Sequence, residues 1–130
     1  FRAQRNWEMQ NTVYWGASGT GKSRRAYEEA GENPYFLSKA DKNQTIWWDG
    51  YDGNDSVVID DFYGWLPWDF MLRLLDRYPF NVQIKGGTIP FTSRKIFITS
   101  NTNPNRWYSN IPNGDPTPLL RRLNKIEEMN

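Results

Sequence analysis

Short apolar runs alternate along this chain with polar breaks marked by glycine and proline. Thr12-Val13-Tyr14-Trp15 is apolar and β-prone and predicts a first strand. Lys22 to Ala30 reads as a short helix ended by Gly31. Pro34 to Ser38 reads as a short strand and Asp41 to Gln44 as a polar loop. Trp47 to Asn54, rich in Trp, Asp and Gly, reads as a turn-rich loop that carries aromatic side chains. Ser56 to Asp61 is a buried strand with two acids at its C-terminal end. Pro67 to Tyr78 is the best helix: Phe70, Met71, Leu74, Leu75 and Tyr78 follow helical spacing, Pro67 suits the first turn, and Pro79 stops it. Asn81 to Phe91 predicts a hairpin with Lys85-Gly86-Gly87 at its turn. Lys95 to Thr99 is another buried strand, ending in Ser100-Asn101. Thr102 to Pro118 is loop-like, and Pro118 to Leu123 predicts a last helical turn. Strands alternating with helices predict an α/β fold with its ligand at the C-terminal ends of the strands.

Composition narrows the chemistry. The 130 residues suffice for one domain with a sizeable core. The chain begins at Phe1 without an initiator Met, so it is expected to be a fragment of a longer protein. No apolar run is long enough to span a membrane, and no signal peptide is visible. Without cysteine there are no disulfides or thiolate zinc sites, and without histidine there is no histidine catalysis or histidine metal cluster. A hard-oxygen metal such as Mg²⁺ remains open. A net charge of +1 argues against a uniformly basic nucleic-acid coat but leaves room for a local basic loop. The many tryptophans suit core, base-stacking or subunit-interface roles, and in a chain of this size most belong to the core.

The sharpest signal is Gly16-Ala17-Ser18-Gly19-Thr20-Gly21-Lys22-Ser23, a complete G-x-x-x-x-G-K-[ST] phosphate-binding loop between a predicted strand and a predicted helix. Its glycines allow backbone N–H groups to point at phosphate oxygens, and the helix adds its positive N-terminal end. Lys22 is placed to reach the β- and γ-phosphates of ATP, and Ser23 to offer its hydroxyl to Mg²⁺. Val57-Val58-Ile59-Asp60-Asp61 is the second element: Asp60 is expected to hold Mg²⁺ through water and Asp61 to polarise the attacking water. In Ile96-Phe97-Ile98-Thr99-Ser100-Asn101, the strand can present the Asn101 amide near the γ-phosphate. Taken alone, that pair of residues after a strand is an ordinary turn signal.

Three basic features read less sharply. Lys85 and Gly86 sit at a glycine hairpin tip that can hold DNA phosphates, although composition alone makes Lys85 a solvated hairpin residue. Arg121 and Arg122 can serve as an arginine finger for a neighbouring subunit's γ-phosphate, but by themselves read as a surface pair in salt bridges. Arg24 and Arg25 follow the phosphate loop and read as a solvated helix face.

In this order the motifs resemble superfamily 3 helicases, which are AAA+-like P-loop ATPases. More narrowly, Trp47-Trp48-Asp49-Gly50-Tyr51, Asp60-Asp61-Phe62-Tyr63-Gly64-Trp65-Leu66-Pro67-Trp68 and Leu120-Arg121-Arg122 are similar to the helicase part of circovirus replication-initiator proteins, over about Trp15 to Leu123. The resemblance implies an ATP- and Mg²⁺-dependent helicase. It implies a homo-oligomeric ring, a hexamer, that moves on single-stranded DNA in rolling-circle replication in the host nucleus. It assigns Lys22 and Ser23 to nucleotide and metal, Asp60 and Asp61 to metal and water, and Asn101 to sensing. It raises Lys85 to a DNA contact and Arg121 or Arg122 to the finger. The nicking endonuclease domain of such proteins is expected to be absent, so that 1–130 is the helicase domain alone. Where many related ATPases carry Glu, this chain has the shorter Asp61. A P-loop phosphotransferase and a nucleotide-binding assembly module without translocation are the alternative readings.

Overall fold

In chain order the elements are β1 (Gln10–Gly16), α1 (Lys22–Ala30), β2 (Tyr35–Leu37), β3 (Ser56–Ile59), α2 (Trp68–Leu75), β4 (Asn81–Ile84), β5 (Gly87–Pro90), β6 (Lys95–Ser100), α3 (Thr117–Arg121) and β7 (Lys125–Met129). The computed structural model describes residues 4–39, 46–109 and 111–130. The predicted loop Asp41 to Gln44 lies outside the described residues.

Five strands form one sheet in the order β2-β3-β6-β1-β7, and every pair is parallel. Such a sheet is covered on both faces, so its strands are buried almost without interruption. Alternation then sorts neighbouring residues to opposite layers. Tyr14, Val58 and Phe97 pack with Ala26 and Ala30 of α1 on one face. Val13, Val57, Ile59, Ile96 and Ile98 face the larger core, where α2 contributes Met71, Leu74 and Leu75 and α3 contributes Leu119. β4 and β5 form a separate antiparallel hairpin. Trp48, Tyr51 and Phe91 lie in mutual ring contact at its base, Phe80 joins them through Phe91, and Phe91 N–H closes the hairpin on the Phe80 carbonyl (2.7 Å).

The expectations need correction at three places. The helix predicted over Pro67 to Tyr78 spans only Trp68–Leu75. Pro67 stands just before it, and its carbonyl accepts from Met71 N–H (2.9 Å). At the other end, the buried guanidinium of Arg5 donates to the carbonyls of Arg73 (2.7 Å), Leu74 (2.6 Å) and Tyr78 (2.8 Å). Arg73 and Leu74 belong to the last turn of α2 and Tyr78 follows it, so a cation from 68 residues away holds the chain where periodicity predicts a further turn. Burial holds the Arg5 guanidinium down at about 10. The second correction is β7, which the sequence pattern did not predict. It is an edge strand carrying Lys125, Glu127 and Glu128, and such charges mask strand periodicity. The last helical turn also starts one residue earlier than predicted, at Thr117, and stops at Arg121.

Candidate functional site

Strand register builds the site. Ile59 of β3 pairs with Ile98 of β6, so the next residues, Asp60 and Thr99, emerge side by side. Trp15 of β1 pairs with Ser100, so the glycine loop after β1 opens beside Asn101. Gly19 (φ 82°) and Gly21 (φ 84°) take left-handed conformations that L-side chains resist, and open space surrounds the position of a Cβ at both. They are therefore required by backbone shape, and the shape leaves a cradle. Gly16 answers to a different constraint, because a Cβ there would collide with the Met129 carbonyl of β7.

Lys22 opens α1 and is buried, with its Nζ folded back onto the Ala17 carbonyl (2.8 Å). Thr20 Oγ1 donates to the same carbonyl (2.9 Å). Among the described residues no side chain caps α1, so its first-turn N–H groups are open to an anion. Ser23 Oγ donates to Asp60 Oδ1 (2.8 Å), and Thr99 Oγ1 donates to the same oxygen (2.6 Å). Asp61 N–H donates to Thr99 Oγ1 (2.9 Å), and Asp61 sits at φ 55°.

A cleft of about 360 Å³ joins these groups, lined by Ser18, Gly19, Lys22, Ser23, Asp60, Asp61, Thr99, Ser100 and Asn101. Its size is in the range of small-molecule sites. One ammonium, a helix N-terminus and a glycine cradle suit phosphates. The serine hydroxyl and the carboxylate, already converging, are hard-oxygen donors that fit Mg²⁺. Among the described residues no group of three or more Asp, Glu, His or Cys could cage a metal.

The other predicted residues stand elsewhere. Arg24 pairs with Glu28 (3.1 Å). Arg25 pairs with Glu29 (3.2 Å) and Glu127 and lies 4.7 Å over the Tyr14 ring. Arg24 thus belongs to the solvated helix face, whereas Arg25, half-buried, ties α1 to β1 and β7. Tyr14 donates to Glu29, and burial together with that bond pushes its hydroxyl up to about 12. Lys85 is exposed at the hairpin tip, its N–H bonded to Asp49 Oδ1 (3.1 Å) and its Nζ 3.9 Å from Asp49 Oδ2. It does not line the cleft. Gly86 (φ 96°) turns the tip. Arg121 and Arg122 line a separate depression with Asn11, Leu75 and Asp76. Asn11 is five residues from the loop end of β1, roughly 17 Å at about 3.3 Å per residue, so neither arginine reaches the cleft of its own chain. Arg122 is held by the Pro118 carbonyl (2.7 Å) and Asp76 (3.2 Å), whereas Arg121 is exposed and makes no hydrogen bond or ion pair among the described residues.

Sequence reasoning had passed over Thr99 and Ser100. Ser100 Oγ accepts from the buried Trp107 indole N–H (3.0 Å) and so ties the end of β6 to the following loop. The available signal was two hydroxyls in a strand that is otherwise Ile-Phe-Ile.

A family model described as RNA helicase matches residues 12–102. The chain is 48% identical over 122 residues to the replication-associated protein of Beak and feather disease virus, which covers 94% of this chain and 39% of that protein. To the replication-associated protein of Porcine circovirus 2 it is 48% identical over 124 residues, 95% of this chain and 38% of that protein. It thus spans less than half the length of these relatives. Among solved structures, the Saccharomyces cerevisiae Hsp104–ADP complex matches 95% of this chain and 29% of that one with a TM-score of 0.58. At 16% identity this likeness speaks to the fold alone, that of an AAA+ P-loop NTPase. With the glycine loop, acid-tipped strand and parallel sheet already in place, the chain belongs to the RNA helicase family, in the superfamily 3 form that circovirus-type replication-associated proteins carry.

Proposed function

We propose that this chain is the ATP-hydrolysing motor of a viral rolling-circle replication initiator. It assembles as a ring, a hexamer, and draws single-stranded DNA through that ring in the host nucleus. The observation that carries the reading is the convergence of Ser23 and Asp60 in one cleft with Lys22, Asp61 and Asn101.

The loop N–H groups of Gly16 to Ser23 and the Lys22 ammonium bind the phosphates of ATP, and the cost of burying Lys22 is offset by that anion. Ser23 and Asp60 would hold Mg²⁺, which when bound neutralises charge on the β- and γ-phosphates. Asp61 accepts a proton from water as the water oxygen attacks the γ-phosphorus and the bond to ADP breaks. The Asn101 amide orients that water. Arg121, exposed and distant from its own cleft, serves the γ-phosphate of the next subunit. Lys85 and the Gly86 turn contact DNA phosphates at the hairpin tip.

The test is ATP turnover by the full-length protein with and without single-stranded DNA or RNA. Wild type is expected to hydrolyse ATP faster with DNA than with RNA. Lys22→Ala is expected to lose roughly 100-fold or more. Lys85→Ala is expected to weaken DNA binding and to lower its salt slope by about one. Undiminished turnover by Lys22→Ala would sink the nucleotide assignment. Turnover indifferent to DNA would favour a phosphotransferase, and binding without turnover an assembly module.

A further inference from the structure

We propose that the Thr99 hydroxyl positions both acids, orienting the Asp60 carboxylate toward Ser23 and pinning the left-handed turn that presents Asp61. The inference rests on reading the cleft as an ATP site.

Thr99 is buried in a strand whose preceding residues are Ile96, Phe97 and Ile98, where a valine of the same shape would avoid burying a hydroxyl. Its hydroxyl is fully engaged. The single proton goes to Asp60 Oδ1 (2.6 Å), and a lone pair accepts from Asp61 N–H (2.9 Å). The Thr99 carbonyl accepts from Phe62 N–H (2.8 Å). One residue of β6 therefore grips three consecutive residues of the acidic segment.

The grip has two consequences. Ser23 Oγ also donates to Asp60 Oδ1 (2.8 Å), so two hydroxyls occupy one carboxylate oxygen. Asp60 Oδ2 has no hydrogen-bond partner among the described residues. Asp61, at φ 55°, holds a conformation that a non-glycine residue resists; its N–H is tied to the Thr99 hydroxyl, and its carbonyl accepts from the Trp65 indole N–H (3.2 Å). Thr99 is a positioning residue: it acts through the two acids. Because Asn101 directly follows the end of β6, two residues after Thr99, acids and amide are held by one strand end.

The experiment compares wild type, Thr99→Val, Thr99→Ala and Thr99→Ser in the full-length protein. Three quantities are measured: hydrogen exchange at the Asp61 amide without nucleotide, Mn²⁺ affinity in the presence of ADP, and kcat and KM for ATP. Removing the hydroxyl is expected to speed Asp61 exchange about tenfold and weaken Mn²⁺ about tenfold, as loss of an outer partner of a metal ligand does. It is expected to lower kcat roughly 30-fold with KM changed less than about threefold, and Thr99→Ser is expected to restore all three. Unchanged Asp61 exchange and Mn²⁺ affinity in Thr99→Val overturn the proposal. So does a Thr99→Ser variant as impaired as Thr99→Val, or failure of both Val and Ala variants to fold, which would assign Thr99 to the fold alone. The exchange measurement needs no nucleotide, so it fails or succeeds independently of Lys22→Ala, whose undiminished turnover would instead remove the ATP reading.

Discussion

Ser23 Oγ and Asp60 Oδ1 meet at 2.8 Å although 37 residues separate them. One lies in the first turn of a helix that follows β1 and the glycine loop, and the other follows β3, two places from β1 in the sheet. Their meeting makes a phosphate cradle and an acidic strand end into a single cleft.

Asp61→Asn keeps the size of the side chain and removes its capacity to take a proton. ATP turnover is expected to fall by about 10²- to 10⁴-fold, with nucleotide affinity changed little. Parallel turnover and equilibrium binding measurements check this, and a tenfold loss of affinity would place Asp61 in binding instead.

The two neighbouring arginines are expected to separate cleanly. In the proposed ring, Arg121→Ala should leave the melting temperature unchanged while lowering turnover by about 10³-fold. Arg122→Ala removes the contacts to Asp76 and the Pro118 carbonyl, and should destabilise by about 1 kcal/mol. Subunit mixing completes the test. Rings of Arg121→Ala with Lys22→Ala subunits should regain turnover at interfaces that pair an intact loop with an intact arginine.

Arg5→Leu removes the shared donor of three carbonyls, those of Arg73 and Leu74 in the last turn of α2 and of Tyr78 beyond it. Urea unfolding should show a loss of about 2–4 kcal/mol, since bonds from a charged donor are the stronger class and the carbonyls are left unpaired. A midpoint within experimental error of wild type would mean that α2 ends without help.

Tyr14 gives a pH dependence with a definite sign. Burial and the bond to Glu29 raise its folded value to about 12, above the ordinary 10.0. Between those values the folded chain holds a proton that the unfolded chain has released. Its contribution is therefore complete below pH 10.0 and is lost as pH rises toward about 12. Urea midpoints taken from pH 9 upward should decline less steeply for Tyr14→Phe than for wild type.

The chemistry of the cleft was legible in the sequence because its parts are local. A glycine loop needs its glycines at fixed intervals for backbone shape alone, as Gly19 and Gly21 show. A buried strand followed by Asp60-Asp61 announces itself by hydropathy. β7 was not legible, since an edge strand with three charged residues obeys no apolar rhythm, and it is placed by the gap that Gly16 leaves beside Met129. The end of α2 was not legible either, because the guanidinium that terminates it comes from Arg5, far away in the chain.

From the sequence alone came the residue types that can hold a phosphate, a magnesium ion and a water, and the strand-loop-helix order that sets each at a strand end. Parallel pairing then decided which strand ends are neighbours. The register of Ile59 against Ile98 brings Thr99 to the two acids, and that of Trp15 against Ser100 brings Asn101 to the loop. Local propensity is written in neighbouring residues, whereas register depends on the burial of whole strand faces, which only the assembled sheet specifies.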